Sequence, residues 1–402
     1  MSRALPTLGL PVEAVLPDLR AALRAGPNAV LVAPPGAGKT TLAPLALLDE
    51  PWARNGRLIL LEPRRVAARA AAERLAALLD EPLGASIGLR MRGESVPGKR
   101  IEVVTDGVLS RMLMESPDLP GLSALLFDEI QGALRDDLRL LAMSATIETD
   151  RLAAHLSAPV IRSDGRMHPV ETRWLDRPWR SPRGRERLED AVADRIAALA
   201  AGEPGSVLAF LPGVGEIRRA AARLSGRLPA DMDLLELHGG LPIKAQRAAI
   251  APAAKGRRKC VLATSIAETS LTIEGVRVVV DAGLARRARL DPASGMARLV
   301  TEPVSRAEAE QRRGRAGRLE PGLCARLWTK GEEGALPAHP PAEILTADLT
   351  PLALDLAVWG AETLPFLDPP PDGTHAEARA LHPGHPAHAA EDRPPPPGRR
   401  KA

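Results

Sequence analysis

Short apolar runs alternate with Ala-rich stretches along the first half of the chain. "NAVLVAPP", "GRLILLEP" and "RIEVVTDG" are apolar runs closed by Pro or Gly, and "TTLAPLALLDE" and "RVAARAAAERLAALLDE" lie between them with helical character. Uninterrupted apolar runs of this kind predict strands buried on both faces, and their alternation with helices predicts a parallel sheet covered by helices. The stretch from Val170 to Ser206 is rich in Arg and Pro, after which the pattern restarts at "SVLAFLPG" and continues through "LLELHGG", "KCVLATS" and "VRVVVDAG". Two α/β domains are therefore expected, over 1–166 and 167–335. A short helical piece, "TADLTPLALDLAVWG", follows from Thr346. From Asp368 the chain is Pro-rich without apolar periodicity, which cannot build a core, so 368–402 are expected to form a disordered tail. His382, His385 and His388 stand at threes there; a run broken by Pro and Gly reads as solvated, in preference to a metal site.

One stretch breaks the pattern. In "LLFDEIQGALRDDLRLLAMSAT", Leu125 to Thr146, one apolar run ends in adjacent carboxylates and the next in Ser-Ala-Thr, with only the nine residues Ile130 to Leu138 between. A crossover between parallel strands needs about a dozen residues or more, usually including a helix. Nine residues span ~30 Å when extended, so the connection can close, but it cannot present a packed helix face. A patch of sheet is expected to lie uncovered beside the carboxylates.

At 402 residues the chain is long enough for two or three domains with cores of their own. Its two cysteines, Cys260 and Cys324, match no zinc or disulfide spacing and suit a reducing compartment. Neither a signal-like head nor a run of ~20 apolar residues is present, which predicts a cytoplasmic protein without a transmembrane segment or membrane partner. Net charge is +4 and the pI about 9.4, a balance that suits a phosphate-rich partner, although a composition heavy in Ala, Arg, Gly and Pro accounts for most of it. With three Phe and no Tyr, base stacking on aromatic platforms is disfavoured; any nucleic acid is expected to be held by its backbone.

Three motifs carry chemistry. "APPGAGKTT", Ala33 to Thr41, stands between an apolar run and a helix. In that setting backbone N–H groups cradle phosphate, Lys39 opposes the β and γ phosphates, and Thr40 can ligate Mg²⁺. A Gly-rich loop that only turns the chain is the plainer alternative, disfavoured by the flanking strand and helix. The motif is silent on the reaction. Asp128 and Glu129 end a strand, where a carboxylate pair can hold Mg²⁺ through water and activate the attacking water; surface acids capping a strand are the alternative. In "QRRGRAGR", Gln311 to Arg318, three arginines at threes fall on one face of a predicted helix. Guanidiniums so placed can reach phosphates, with Gln311 orienting water, whereas a solvated basic face is the alternative.

These motifs, with "LEPRRVAARAAAERL", "VVTDGVLSRML", "LLFDE", "SAT", "AFLPGVGEI", "LHGGLP" and "ATSIAETSLTIEGVRVVVDAG", run in the order found in DEAH-box ATP-dependent helicases, and the chain resembles the bacterial HrpB type over about residues 8 to 368. The resemblance implies two tandem RecA-like P-loop domains that close on ATP, with single-stranded RNA or another nucleic acid crossing both. By matched motif it implies that Gly36, Gly38, Lys39, Thr40 and Thr41 bind the triphosphate, that Asp128 holds Mg²⁺ with Glu129 as base, and that Gln311, Arg315 and Arg318 complete hydrolysis. Arg74 matches the adenine-stacking arginine of the family, and the aromatic that usually faces it is replaced by Ile250. Arg64, Arg65, Thr105, Asp106, Gly107, Thr264 and Thr269 match positions near the nucleic-acid backbone. Ser144 and Thr146 match the motif that couples hydrolysis to domain movement.

The chain departs from the family in two places. Gln131 stands where the family has His, and a block of roughly fifteen residues, about four helical turns, is missing before the Ser-Ala-Thr strand. Soon after "LALDLAVWG" the family would continue through a winged helix, a helical bundle and an OB-fold, so 336–367 are expected to be the start of a winged-helix segment. Three functions are weighed: an ATP-dependent RNA helicase, impaired or not by the missing block; a catalytically silent nucleotide-dependent binding module; and a P-loop ATPase without a nucleic-acid substrate.

Overall fold

The structure, a computed structural model, describes residues 7–380 except 35, 117, 128–137, 145–148, 166–167, 180–186, 269–272, 292–293, 295 and 319. The chain divides into two compact units: Met1–Asp164 with Ala288–Arg298 and Pro341–Ala402, and Gly165–Arg287 with Leu299–Pro340.

The first unit is built on eight strands, β1 (Asn28–Val32), β2 (Arg57–Leu61), β3 (Ile87–Met91), β4 (Glu94–Val96), β5 (Ile101–Val104), β6 (Leu122–Phe127), β7 (Arg139–Ser144) and β8 (Val160–Arg162). They lie in the order β4-β3-β5-β2-β6-β7-β1-β8, parallel throughout except for the β3–β4 hairpin. Helices α1 (Leu16–Ala25), α2 (Lys39–Leu47), α3 (Arg65–Leu78), α4 (Asp106–Glu115) and α5 (Thr149–Leu156) pack against the sheet. The apolar runs become strands buried on both faces, as an all-parallel sheet between helices requires. Glu102, buried in β5, is answered by Arg57 and Arg90, so its charge is not left alone in the interior.

Among the described residues the expected bare patch of sheet is absent. Leu125, Phe127, Leu140 and Ala142 share a core with Leu109 of α4 and Leu156 of α5, while Leu126, Leu141 and Met143 are buried on the other face. Ala124 pairs with Arg139 and Phe127 with Ala142. The chain leaving β6 therefore has to return by only about three residues, ~10 Å, to enter β7.

The second unit begins at β9 (Val170–Leu175) and continues through α6 (Leu188–Gly202), β10 (Ser206–Phe210), α7 (Val214–Leu224), β11 (Met232–Leu237), α8 (Ile243–Ile250), β12 (Arg258–Ala263), β13 (Val276–Asp281), the ribbon strands β14 (Leu284–Asp291) and β15 (Met296–Pro303), whose stretch Ala288–Arg298 belongs to the first unit, α9 (Arg306–Arg313), β16 (Gly322–Thr329) and α10 (Lys330–Gly334). Its six-stranded sheet, β11-β12-β10-β13-β16-β9, is parallel. Val192 and Ile196 of α6 and Ile217 and Leu224 of α7 fill one face against Val207, Leu262 and Val280, and Leu208, Phe210, Val261 and Val279 fill the other. Both units are α/β, with parallel sheets and helices consistent with RecA-like domains.

The C-terminal part of the first unit holds α11 (Thr350–Trp359) and α12 (Asp372–Ala380). Ala378 of α12 is buried against Leu349 and Ala353, and Arg151 of α5 donates to the Leu367 carbonyl and to Asp368. The tail expected to be disordered from 368 is thus ordered through 380, because one small-residue face of α12 finds an apolar partner in α11. Residues 381–402, with His382, His385 and His388, lie outside the described residues. Among the described residues no helix is long and apolar enough to cross a membrane and no cluster of potential metal ligands occurs.

Candidate active site

Because the sheet of the first unit is parallel, the chain leaves β1, β2, β5, β6 and β7 at one edge. The register fixes this: Val32 lies opposite Ser144, and Leu61 opposite both Phe127 and Val104. The segments that follow these strands are those singled out by sequence for chemistry, and three of them open helices α2, α3 and α4. Three helix N-termini at one edge bring unsatisfied N–H groups and partial positive charge together, a setting for anions.

After β1 the Ala33 N–H donates to the Ser144 carbonyl at 3.0 Å, and the Ala37 N–H to Pro34. Gly36 and Gly38 follow with φ of +84° and +94°, left-handed values that a side chain would resist. Lys39 opens α2 with little of its surface exposed, and the N-cap residue, Gly38, has no side chain with which to cap that helix start. Thr40 is half-buried; Thr41 bonds back through Oγ1 to the Gly38 carbonyl at 3.1 Å. A Cβ on Gly38 would lie 2.8 Å from Leu10 and 3.1 Å from Val12, and the Val12 N–H donates to Ala37, so the segment before α1 presses on the loop from one side. An uncapped helix start behind two left-handed glycines and a lysine fits a triphosphate.

Arg64 is half-buried and Arg65 exposed at the start of α3; Arg74 is exposed on the same helix. Thr105 stands at the N-cap position of α4 and is buried, and Gly107 is exposed with open space around a would-be Cβ. Burial, and then the charge of Glu343, raise the Asp106 carboxyl above its ordinary value. Ser144 is half-buried at the end of β7. Asp128, Glu129, Thr146 and Thr269 lie outside the described residues.

In the second unit the arginine motif differs from expectation. A capping box between Ser305 and Glu308 starts α9, but the helix ends at Arg313 and Gly314 caps it. The three arginines therefore do not share one helix face. Arg312 is wholly buried: its Nε donates to Glu268 at 2.6 Å, its Nη1 to Asp281 at 2.7 Å, and it lies over the Phe210 ring. Burial works against its charge, and Asp281 and Glu268 more than offset this, holding the guanidinium above its ordinary value. Arg315, also buried, donates to the Glu268 carbonyl, and burial pulls Arg318 below the usual arginine value. Arg315 and Arg318 line one small cavity with Leu208, Ala267, Ile273 and Val276. Gln311 is half-buried beside Glu310, which Arg326 holds from β16. Thr264 is half-buried where the chain leaves β12, and Ile250 packs against the apolar core. Lys259, whose ammonium donates to the Ala248, Ala249 and Ala251 carbonyls, ties down the last turn of α8 beside Ile250.

Glu268 and Asp281 were not among the residues singled out, and Arg312 was read only as one of three arginines on a helix face, although each stands inside a quoted motif. Their partners lie far apart in sequence, and only a charged residue embedded in an apolar motif, such as the Asp of "VRVVVDAG", hinted at the network.

Two parallel α/β units, the first carrying a phosphate loop and the second a buried arginine motif, describe the helicase class of P-loop proteins. The DEAD/DEAH box helicase model matches residues 18–158 and the helicase conserved C-terminal domain model residues 190–320. The chain belongs to the DEAH-box helicases and within them to the HrpB type. It is 48% identical over 385 residues to the ATP-dependent RNA helicase HrpB of Escherichia coli K12, covering 90% of this chain and 47% of that protein. The HrpA homolog of Haemophilus influenzae is 33% identical over 83% of this chain and 27% of its own length. A crystal structure of the E. coli DEAH/RHA helicase HrpB superposes with a TM-score of 0.86 at 47% identity, over 92% of this chain and 50% of that one. A second, of the E. coli DExH-box NTPase HrpB, gives 0.81 over 94% and 49%. The chain spans about half the length of the HrpB relative it matches.

Proposed function

We propose that the chain is an ATP-dependent RNA helicase in the cytoplasm, coupling ATP hydrolysis to movement on or unwinding of nucleic acid, with single-stranded RNA or another nucleic acid as its partner. The observation that carries the reading is the carboxyl edge of the first unit, where an uncapped helix start with Lys39 and two further helix N-termini gather. In this reading Gly36, Gly38, Lys39, Thr40 and Thr41 bind the triphosphate and Arg74 stacks on the base. Thr40, Asp128 and Glu129 would hold Mg²⁺, which when bound neutralises developing phosphate charge. Glu129 takes the proton from the attacking water, and Gln311, Arg315 and Arg318 complete hydrolysis. Arg64, Arg65, Thr105, Asp106, Gly107, Thr264 and Thr269 hold the nucleic-acid backbone; Ser144 and Thr146 couple the two processes. Residues 1–166 and 167–335 are the two helicase domains and 336–367 the beginning of a winged helix.

ATP turnover of the purified chain, measured with and without poly(U) RNA, tests this. RNA-stimulated turnover is expected. Turnover indifferent to RNA would make the chain a P-loop ATPase without a nucleic-acid substrate, and binding of both ligands without turnover would make it a silent binding module.

A further inference from the structure

The phosphate loop is held from outside as well as from its strand. Before α1 the chain makes a short 3-10 helix, Pro11–Val15, with Leu10 at its N-cap position. Leucine has no side-chain oxygen with which to cap, and Glu13 supplies one from inside the turn: its Oε1 accepts from the Leu10 N–H at 2.8 Å and from the Leu8 N–H at 2.9 Å. The Glu13 N–H in turn donates to the Leu10 carbonyl. The chain from Leu8 to Glu13 is thus drawn into one strap closed around the Glu13 carboxylate. The strap meets the loop at two places. The N–H of Val12, a wholly buried residue, donates to the Ala37 carbonyl at 3.1 Å. The Leu10 and Val12 side chains cover Gly38 so closely that a Cβ there would lie 2.8 Å from Leu10 and 3.1 Å from Val12.

We propose that Glu13 is a positioning residue for nucleotide binding, which closes the strap and so holds the peptide between Ala37 and Gly38 in the orientation that receives phosphate; the proposal rests on the triphosphate reading of that loop. In a planar trans peptide the C=O and N–H point in opposite directions. With the Ala37 carbonyl engaged by Val12, the Gly38 N–H points away from the strap. An N–H attracts a phosphate, whereas a carbonyl oxygen turned toward it would repel it. Gly38, with a φ of +94° and no side chain, is a residue at which such a peptide flips readily. Leu10 and Val12 remove that freedom, and Glu13 closes the turn that carries them. Its carboxylate acts as an acceptor for two N–H groups, so the placement of Oε1 matters more than the charge.

The test is the affinity of the full chain for a fluorescent ATP analogue, with KM for ATP and kcat, in wild type, Glu13→Ala and Glu13→Gln. Glu13→Ala releases both N–H groups and is expected to weaken analogue binding and raise KM by about tenfold, with the loss falling on KM rather than on kcat. Glu13→Gln keeps an oxygen in the place of Oε1 and should recover the affinity to within about threefold of wild type. Poly(U) affinity without nucleotide reads general loosening of the first unit and is expected to hold in both variants. Analogue affinity unchanged in Glu13→Ala overturns the proposal, as does a loss matched by an equal loss of poly(U) affinity, or a Glu13→Gln chain as weak as Glu13→Ala. Where Glu13→Ala does not fold, Leu10→Ala decides: it strips the cover from Gly38 and leaves Glu13 in place, so it should weaken the analogue severalfold, and wild-type affinity there overturns the proposal. A wild-type chain that does not bind the analogue overturns the triphosphate reading and this proposal together.

Discussion

The Ala33 N–H donates to the Ser144 carbonyl at 3.0 Å, so the first residue of the phosphate loop is bonded to the last residue of β7. The loop begins from two strands locked in register, Val32 opposite Ser144, and inherits their rigidity. Lys39 opens α2 at the far end of that loop. Lys39→Ala is expected to weaken ATP binding by on the order of a hundredfold, because hydrogen bonds to charged groups contribute ~1.5–3 kcal/mol. Titration with a fluorescent ATP analogue checks this, and unchanged affinity would remove the nucleotide assignment.

Gly38→Ala should unfold the chain at lower temperature as well as impair nucleotide binding. The position needs a φ of +94°, and the new Cβ would meet Leu10 at 2.8 Å and Val12 at 3.1 Å. Strain of this kind costs ~1–3 kcal/mol, a fall of roughly 2–10 °C in melting temperature. Gly26→Ala is the control, since nothing lies within 4 Å of its Cβ and its backbone is extended. An equal fall in both variants would show that the phosphate-loop strain is not the cause.

Asp106→Asn is expected to stabilise the chain at neutral pH. Burial and Glu343 raise the folded-state value of Asp106, so the folded chain binds its proton more tightly than the unfolded chain does. Stability from that proton is present at low pH and is lost as pH rises through the folded-state value. Asparagine removes the ionisation, so a gain of roughly 1–3 °C in melting temperature at pH 7.5 should shrink as the pH falls into the ordinary carboxylate range. A gain independent of pH would point to packing instead.

RNA affinity should fall steeply with salt and vary little with base sequence. Arg64 and Arg65 stand at a helix N-terminus, suited to phosphate, and with three Phe and no Tyr few rings are available to stack on bases. Fluorescence anisotropy with poly(U), poly(A) and mixed-sequence RNA at several salt concentrations decides this; a shallow salt slope with a strong base preference would contradict it.

The parallel sheets were legible because their strands are buried on both faces, which writes an uninterrupted apolar run such as "RLILL" or "SVLAF" into the chain. The phosphate loop was legible because its glycines, its lysine and its position between strand and helix are all local. The arginine motif was not. Three arginines at equal spacing look alike in sequence, yet Arg312 is an interior ion paired with residues 44 and 31 positions away, and only tertiary contacts separate it from Arg315 and Arg318. The end of α9 was readable from Gly314, a residue that favours helix termini, but the period-three spacing of the arginines overrode it. Helix α12 went unseen because its apolar contact is a single alanine, Ala378, in a Pro-rich setting.

Inserting an amphipathic helix of about four turns between Ile130 and Gln131 separates packing from catalysis. Had the short connection left sheet exposed, each large apolar side chain the new helix shielded would add ~1.5–3 kcal/mol of stability. Leu125, Leu126, Phe127, Leu140, Leu141 and Met143 are already buried, so no such gain is available and the melting temperature should stay within ~2 °C. RNA-stimulated turnover is a different quantity, because it depends on the aim of Asp128 and Glu129, and a displacement near 1 Å can cost about a hundredfold in rate. Turnover is expected to rise by about tenfold or more while the melting temperature does not. A rise of several degrees would mean that β6 and β7 still lack part of their cover; unchanged turnover would mean that the short connection already holds the two carboxylates where hydrolysis needs them.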